Sequence, residues 1–131
     1  MFELLEFVMP LVPVDKPNHL LGIGDLNSLE RCVRLGIDTF DSSHPTKAAR
    51  HGLLFTKQGP LRIFKSGSAT LFRPIEDDCS CHTCQHYTVA YLCHLFKAKE
   101  LTAFSLATIH NLHFMVQKLN DLRAKTLLDE F

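Results

Sequence analysis

Three cysteines, Cys79, Cys81 and Cys84, fall within six residues, and Cys93 lies further along the same stretch, CSCHTCQHYTVAYLCHLF. At the spacing Cys-x-Cys-x-x-Cys the three thiols converge. As thiolates they repel one another, and burying them uncompensated is costly. A zinc ion removes both difficulties, because Zn²⁺ takes four tetrahedral sulfur and nitrogen ligands at about 2.0–2.3 Å. The fourth ligand is open among His82, His86, His94, His110, His113 and Cys93. His82 lies inside the knuckle, where the loop turns it outward. Cys93 and His94 sit well along the helix that leaves the knuckle. His110 follows Cys84 with 25 residues between them, which lets one helix run out and the next return. A closed four-ligand site leaves no position for substrate, so such a metal is structural. The competing reading is three reduced thiols without a ligand. Five cysteines are an odd number, which does not suit a fully paired disulfide framework, and in a reducing compartment clustered cysteines favour metal.

A second group with chemical potential is Asp41, near the end of the run IDTFDSS over residues 37–43. The run reads as a strand. Alternation puts Ile37, Thr39 and Asp41 on one face and Asp38, Phe40 and Ser42 on the other. An aspartate at a strand's end is more often a cap or turn residue than a nucleophile.

The elements around these groups can be read from pattern. Residues 1–9 have the spacing of an amphipathic helix stopped by Pro10 and Pro13. The run LLGIG over residues 20–24 reads as a buried strand. Asp25 or Asn27 can cap the stretch LNSLERCVRLG, in which Leu26, Leu29, Cys32, Val33 and Leu35 recur at helical spacing before Gly36 ends it. Strand, helix and strand with short links make a βαβ unit with parallel strands, and such folds gather chemistry at the strands' carboxyl ends. Residues 53–56 and 61–64 flank a turn at Gln58, Gly59 and Pro60, a hairpin signal. Two helices are expected over about residues 85–99 and 101–128. In the second, Leu112, Met115, Val116, Leu119 and Leu122 form the apolar stripe; Tyr91 and Leu95 are core positions of the first.

The 131 residues carry a formal net charge of +0, with 46% hydrophobic and 21% charged residues, which suits one globular domain or a piece of a larger one. Net charge gives no argument for nucleic-acid binding; Lys47, Arg50, Lys57 and Arg62 are a local basic set. The apolar run FVMPLVPV over residues 7–14 is far short of the roughly 20 residues that span a bilayer. The start, MFELLEF, has acids where a signal peptide is basic, so a cytoplasmic chain with no membrane partner is expected.

Taken together, these motifs resemble a known family. The knuckle Cys79-x-Cys81-x-x-Cys84, then Tyr91-Leu92-x-His94-Leu95 and Ile109-His110-Asn111-Leu112, are similar to the carboxyl-terminal zinc region of the bacterial tRNA-guanine transglycosylases, also called queuine tRNA-ribosyltransferases. Upstream, Lys16-Pro17, Leu21-Gly22-Ile23-Gly24, Gly36-Ile37-Asp38-x-Phe40-Asp41 and Pro45-Thr46-x-Ala48-x-Arg50-x-Gly52 run in the family's order. The resemblance implies an α/β fold: the C-terminal portion of a TIM (β/α)8 barrel, about two strands, with a zinc-binding subdomain and C-terminal helices. It divides the chain into a partial barrel over residues 1–52, a hairpin and connecting segment over 53–78, and a zinc knuckle with two helices over 79–131. It implies exchange of guanine at the anticodon wobble position for a 7-deazaguanine such as preQ1 or queuine, in tRNA with a GUN anticodon, by a full-length enzyme that is a homodimer. Residue by residue, it makes Asp41 the nucleophile, Gly22 a backbone position of the base pocket, and Cys79, Cys81, Cys84 and His110 the ligands of one structural Zn²⁺ per chain. Lys47 and Arg50 fall where the family places two RNA-facing arginines. The family's Phe-Asp-Cys-Val-x-Pro-Thr-Arg is Phe40-Asp41-Ser42-Ser43-His44-Pro45-Thr46-Lys47 here; Lys47 keeps the charge without the planar fork. The family's second catalytic aspartate and glycine-rich recognition loop have no counterpart in this sequence. The alternative reading is therefore a truncated, non-catalytic zinc-bearing module for dimerisation or RNA contact.

Overall fold

The computed structural model describes residues 1–128. They divide into two compact units, one of residues 1–44 with 118–128, the other Pro45–Gln117.

The first unit opens with α1 (Phe2–Val8), which tightens into a 3₁₀ turn at Met9–Leu11. Pro10 lies inside that turn and cannot donate to a continuing α-helix. Strand β1 (His19–Leu20) pairs in parallel with β2 (Thr39–Phe40), in the register His19 to Thr39 and Leu20 to Phe40. Between them runs α2 (Leu26–Arg34), capped by Asp25, whose side chain accepts from the Ser28 N–H at 3.0 Å. The βαβ unit is thus as expected, but its strands are two residues long. The run expected over residues 20–24 starts one residue earlier and ends at Leu20, because Gly22 takes φ +70° and turns the chain out of the strand. Gly24 is needed for a different reason: a Cβ there would lie 2.5 Å from the Ser42 Cβ. The buried apolar residues of the unit are Leu29, Cys32, Ile37 and Leu122. Cys32 is fully buried and its thiol is pushed up by that burial, as a packing residue's would be.

The second unit takes up α3 (His44–Arg50) from Pro45 onward, a helix for which the sequence pattern assigns no element. Pro45 in the first turn is the start signal that hydrophobic spacing does not register. Strands β3 (Leu53–Leu54) and β4 (Leu61–Arg62) form the expected antiparallel hairpin. The first of the two expected helices is broken into α4 (His82–His86) and α5 (Val89–Lys97). The break comes at Thr88, whose extended backbone and hydroxyl cap α5 by accepting from the Tyr91 N–H at 3.2 Å. The second, α6 (Leu101–Leu127), matches its expected bounds.

The stripe expected on α6 is only half right. Met115 and Leu122 are buried, but Leu112 and Val116 are 43% and 54% exposed. The buried face carries Ala103, Leu106, Ala107, His110 and Asn111 instead. The small alanines admit a close approach of neighbouring elements, and the two polar residues find partners far away in sequence. Tyr91 is likewise exposed rather than core, stacking on Tyr87 at 5.5 Å between ring centroids, while Leu95 is buried as expected.

The link from α5 to α6 puts Lys99 in the left-handed region at φ +60°. The Glu100 N–H returns to the Leu95 carbonyl at 3.0 Å, a helix-ending pattern in which glycine is the usual residue. Lys99→Gly is expected to stabilise the protein by about 1 kcal/mol by relieving this backbone strain. A higher urea midpoint at unchanged slope is the measurement that checks it.

Candidate metal centre and strand-end carboxylate

Cys79, Cys81 and Cys84 are brought together by the tight entry to α4. Cys81 is its N-cap, with its sulfur accepting from the Cys84 N–H at 3.3 Å. The Gln85 side-chain amide donates to the Cys79 carbonyl at 2.8 Å and closes the loop. The buried Thr83 hydroxyl donates to the Leu106 carbonyl at 2.6 Å, which ties the knuckle to α6 one turn before His110. From there His110 reaches the three sulfurs, with Nδ1 at 3.8 Å from Cys79, 3.7 Å from Cys81 and 3.3 Å from Cys84. The four ligand atoms lie within 4.8 Å of one another. Tetrahedral bonds to sulfur and nitrogen would separate those ligands by about 3.6 Å, so the donor set fits a four-coordinate metal ion.

The tautomer of His110 is set from its other side. Nε2 donates to the Phe55 carbonyl at 2.7 Å, which leaves Nδ1 as the ligand nitrogen. Burial holds His110 below its ordinary value and so keeps the ring neutral, as a ligand must be. Burial also pushes the Cys79 and Cys84 thiols up. A bound dication would reverse that and displace the thiol protons, so metal affinity should rise with pH.

The other candidates for the fourth ligand are placed elsewhere. His82, His86 and His94 are exposed, and Cys93 is buried in the apolar core. His113, one turn beyond His110, meets the Ser80 hydroxyl at 3.4 Å. Asn111, part of the sequence motif but without a role there, completes the arrangement. It is fully buried; its Oδ1 accepts from the Phe55 N–H at 3.0 Å, and its Nδ2 donates to the carbonyls of Pro45 at 3.1 Å and Leu53 at 2.9 Å. His110 and Asn111 therefore hold both backbone groups of Phe55. No spacing rule could find this, because Phe55 is more than fifty residues away in sequence.

In the first unit, Asp41 stands just beyond β2. One carboxylate oxygen, Oδ1, accepts from the Gly22 N–H at 3.0 Å and lies 3.0 Å from His19 Nε2. These two contacts, the Gly22 N–H foremost, hold the carboxyl below its usual range. His19 is not among the residues that the sequence singles out; its place at the start of β1, opposite Thr39, puts it there. Gly22 has open space where a Cβ would project. Lys47 and Arg50 are exposed, three residues apart on one face of α3. Among the described residues, no helix is long and apolar enough to cross a membrane.

The family profile described as Queuine tRNA-ribosyltransferase matches residues 1–131. Similar curated proteins carry the same name. That of Protochlamydia amoebophila is 64% identical over 123 residues, covering 94% of this chain and 32% of its own length. That of Chlamydia caviae is 46% identical over 134 residues, covering 96% and 36%. That of Helicobacter hepaticus is 40% identical over 131 residues, covering 100% and 34%. The chain thus spans about a third of the length of these relatives.

Proposed function

The chain belongs to the queuine tRNA-ribosyltransferase family, and from that premise we propose that it forms the carboxyl-terminal part of a tRNA base-exchange site, with Asp41 as the nucleophile. The observation that carries the reading is the Asp41 carboxylate, held ionised at a strand's carboxyl end by Gly22 and His19. A carboxylate in that state suits attack on a ribose carbon. An Asp41 oxygen bonds to C1′ of the target guanosine as the C1′–N9 bond breaks. The electron pair goes to the guanine, which leaves after protonation by a group in the part of the relatives that this chain does not span. The incoming 7-deazaguanine, of the preQ1 or queuine type, then attacks C1′, loses a proton and frees Asp41. An anticodon loop can offer its guanosine unstacked, which suits tRNA with a GUN anticodon as the substrate.

Gly22 fits a backbone position beside the base, since no heavy atom lies within 4 Å of where a Cβ would project. Lys47 and Arg50 fit contacts to tRNA phosphates, sequence-independent and weakened by salt. The βαβ unit fits two of the eight strands of a TIM barrel, with the rest of the barrel and a homodimer belonging to the full-length enzyme. One Zn²⁺ on Cys79, Cys81, Cys84 and His110 is structural and takes no part in the steps. A cytoplasmic location accords with reduced cysteines and a tRNA substrate.

A graft tests the assignment. These residues replace the matching third of the Protochlamydia amoebophila relative, and incorporation of labelled guanine into tRNA is measured. The graft should exchange guanine, Asp41→Asn should abolish exchange, and the 131-residue chain alone should show none. An Asp41→Asn graft that still exchanges would remove Asp41 from the role. The metal assignment has its own check. Purified protein should carry one zinc per chain, and His110→Ala should cost retention far more than His113→Ala. Equal losses would refute His110 as the fourth ligand.

A further inference from the structure

We propose that His19 is the positioning residue for Asp41, holding Oδ1 in place so that Oδ2 is the oxygen left to attack. The proposal deepens the reading of Asp41 as nucleophile and rests on it for its catalytic meaning, but its geometry stands by itself.

A carboxylate has two chemically equivalent oxygens and turns freely unless something distinguishes them. Here both contacts fall on one of them: the Gly22 N–H and His19 Nε2 each lie 3.0 Å from Oδ1. Gly22 is rigid because the donor is backbone in a turn. His19 is made rigid by its other nitrogen, since Nδ1 lies 2.8 Å from the Thr39 hydroxyl directly across the parallel pair. Thr39, His19 and Asp41 therefore form a chain along one face of β1 and β2.

The chemistry of the three groups fixes the proton. A carboxylate oxygen only accepts, so Nε2 must carry hydrogen for its contact with Oδ1 to be favourable. In the neutral ring this makes Nδ1 an acceptor, and the Thr39 hydroxyl donates to it. In the charged ring Nδ1 donates, and the same hydroxyl accepts. A hydroxyl can do either, so Thr39 lets His19 present Nε2–H to Asp41 in both protonation states. A threonine is suited to that place where a backbone carbonyl or amide would serve only one state.

The other charged groups nearby do not compete. Asp38, just before β2, is engaged elsewhere, its Oδ2 accepting from the Asn18 N–H at 2.7 Å. Lys16 pairs with Asp15 at 3.4 Å. The titratable partners in this cluster are His19 and Asp41 alone among the contacts described. With Oδ1 taken by two donors, the lone pairs of Oδ2 are the ones available to an electrophile. A fixed carboxylate also approaches C1′ in one orientation, and such fixing is what separates a near-attack geometry from a random one.

The test is carbon- and nitrogen-detected NMR on the 131-residue chain, with no substrate. The Asp41 carboxyl carbon is titrated in the parent, in His19→Phe and in His19→Gln. His19→Phe should move the Asp41 midpoint to higher pH, because one donor to the ionised form is lost. His19→Gln, which can offer an amide N–H, should recover part of that shift. An Asp41 midpoint unchanged in His19→Phe overturns the proposal. A second measurement needs no variant: ring nitrogen signals of His19 in the parent, read at a pH where the ring is neutral and Asp41 is ionised, should show the proton on Nε2. A neutral ring protonated on Nδ1 only would overturn the proposal even if a variant failed to fold. Either failure leaves the nucleophile reading standing, and only the Asp41→Asn graft decides that one.

Discussion

Stripping the metal with a strong chelator is expected to unfold Pro45–Gln117. Structural zinc in small sites supplies on the order of 10 kcal/mol of folding free energy at neutral pH. That is comparable to the whole net stability of an ordinary domain, about 5–15 kcal/mol. Within this unit the group that could hold a metal comes from two places far apart in sequence, the knuckle at residues 79–84 and His110 on α6. Without a cation, burial favours neutral thiols at Cys79 and Cys84, and no charge holds them to the histidine. Hydrogen exchange should therefore speed up across α5 and the Leu101–Gln117 part of α6 when the metal is removed. Protection unchanged by chelation would show that the apolar core of Leu54, Ile63, Leu92, Phe96 and Leu106 suffices alone. Acid should mimic the chelator: thiols and imidazole bind metal only when deprotonated, so any stability that a bound metal confers is expected at neutral pH and lost as pH falls and protons compete.

The second large effect is expected at Asn111. Asn111→Ala removes one acceptor and two donors from a fully buried position and leaves the Phe55 N–H and the carbonyls of Pro45 and Leu53 without this partner. Each buried polar group so abandoned costs about 1–3 kcal/mol, so a total loss of about 3 kcal/mol or more is expected. Asn111→Asp keeps the acceptor for Phe55 and loses both donors, while adding a charge, and should be no better tolerated. Urea unfolding at a fixed zinc concentration reads both. A loss below about 1 kcal/mol for the alanine variant would mean that water replaces the amide.

The sequence is most legible where chemistry is local. The Cys-x-Cys-x-x-Cys spacing announces the knuckle, Asp25 or Asn27 announces the start of α2, with Asp25 the one that caps it in the structure, and the alternation over residues 37–43 puts Thr39 and Asp41 on one face. The structure bears out that face, since both residues contact His19. It is least legible where a residue's partner lies far along the chain. Leu112 and Val116 read as core because apolar side chains usually are. The face of α6 that is actually covered carries His110 and Asn111, whose polarity is satisfied by the sulfurs and by the backbone of Phe55. A hydrophobicity pattern cannot see such a face. The break at Thr88 is hidden for a related reason: a threonine inside a favourable helical stretch gives no sign that its hydroxyl will start a new helix. His19 does not stand out because its meaning depends on strand pairing, and the strands are too short to announce their register.

The grip of two successive residues on one peptide has a bearing on how this protein can change length. Because His110 and Asn111 seize the two sides of Phe55, while Ala103, Leu106 and Ala107 occupy the same covered face, α6 is phased twice along one short stretch. Each residue added to a helix rotates every later residue by about 100°. A single insertion or deletion between positions 103 and 110 would turn one of these two sets away from its contacts. The same change at residues 98–100, in the link before the helix, rotates nothing within it. Length variation among functional descendants of this chain should therefore be permitted in the link and forbidden along that stretch of α6, and a one-residue insertion scan would draw the boundary between the two.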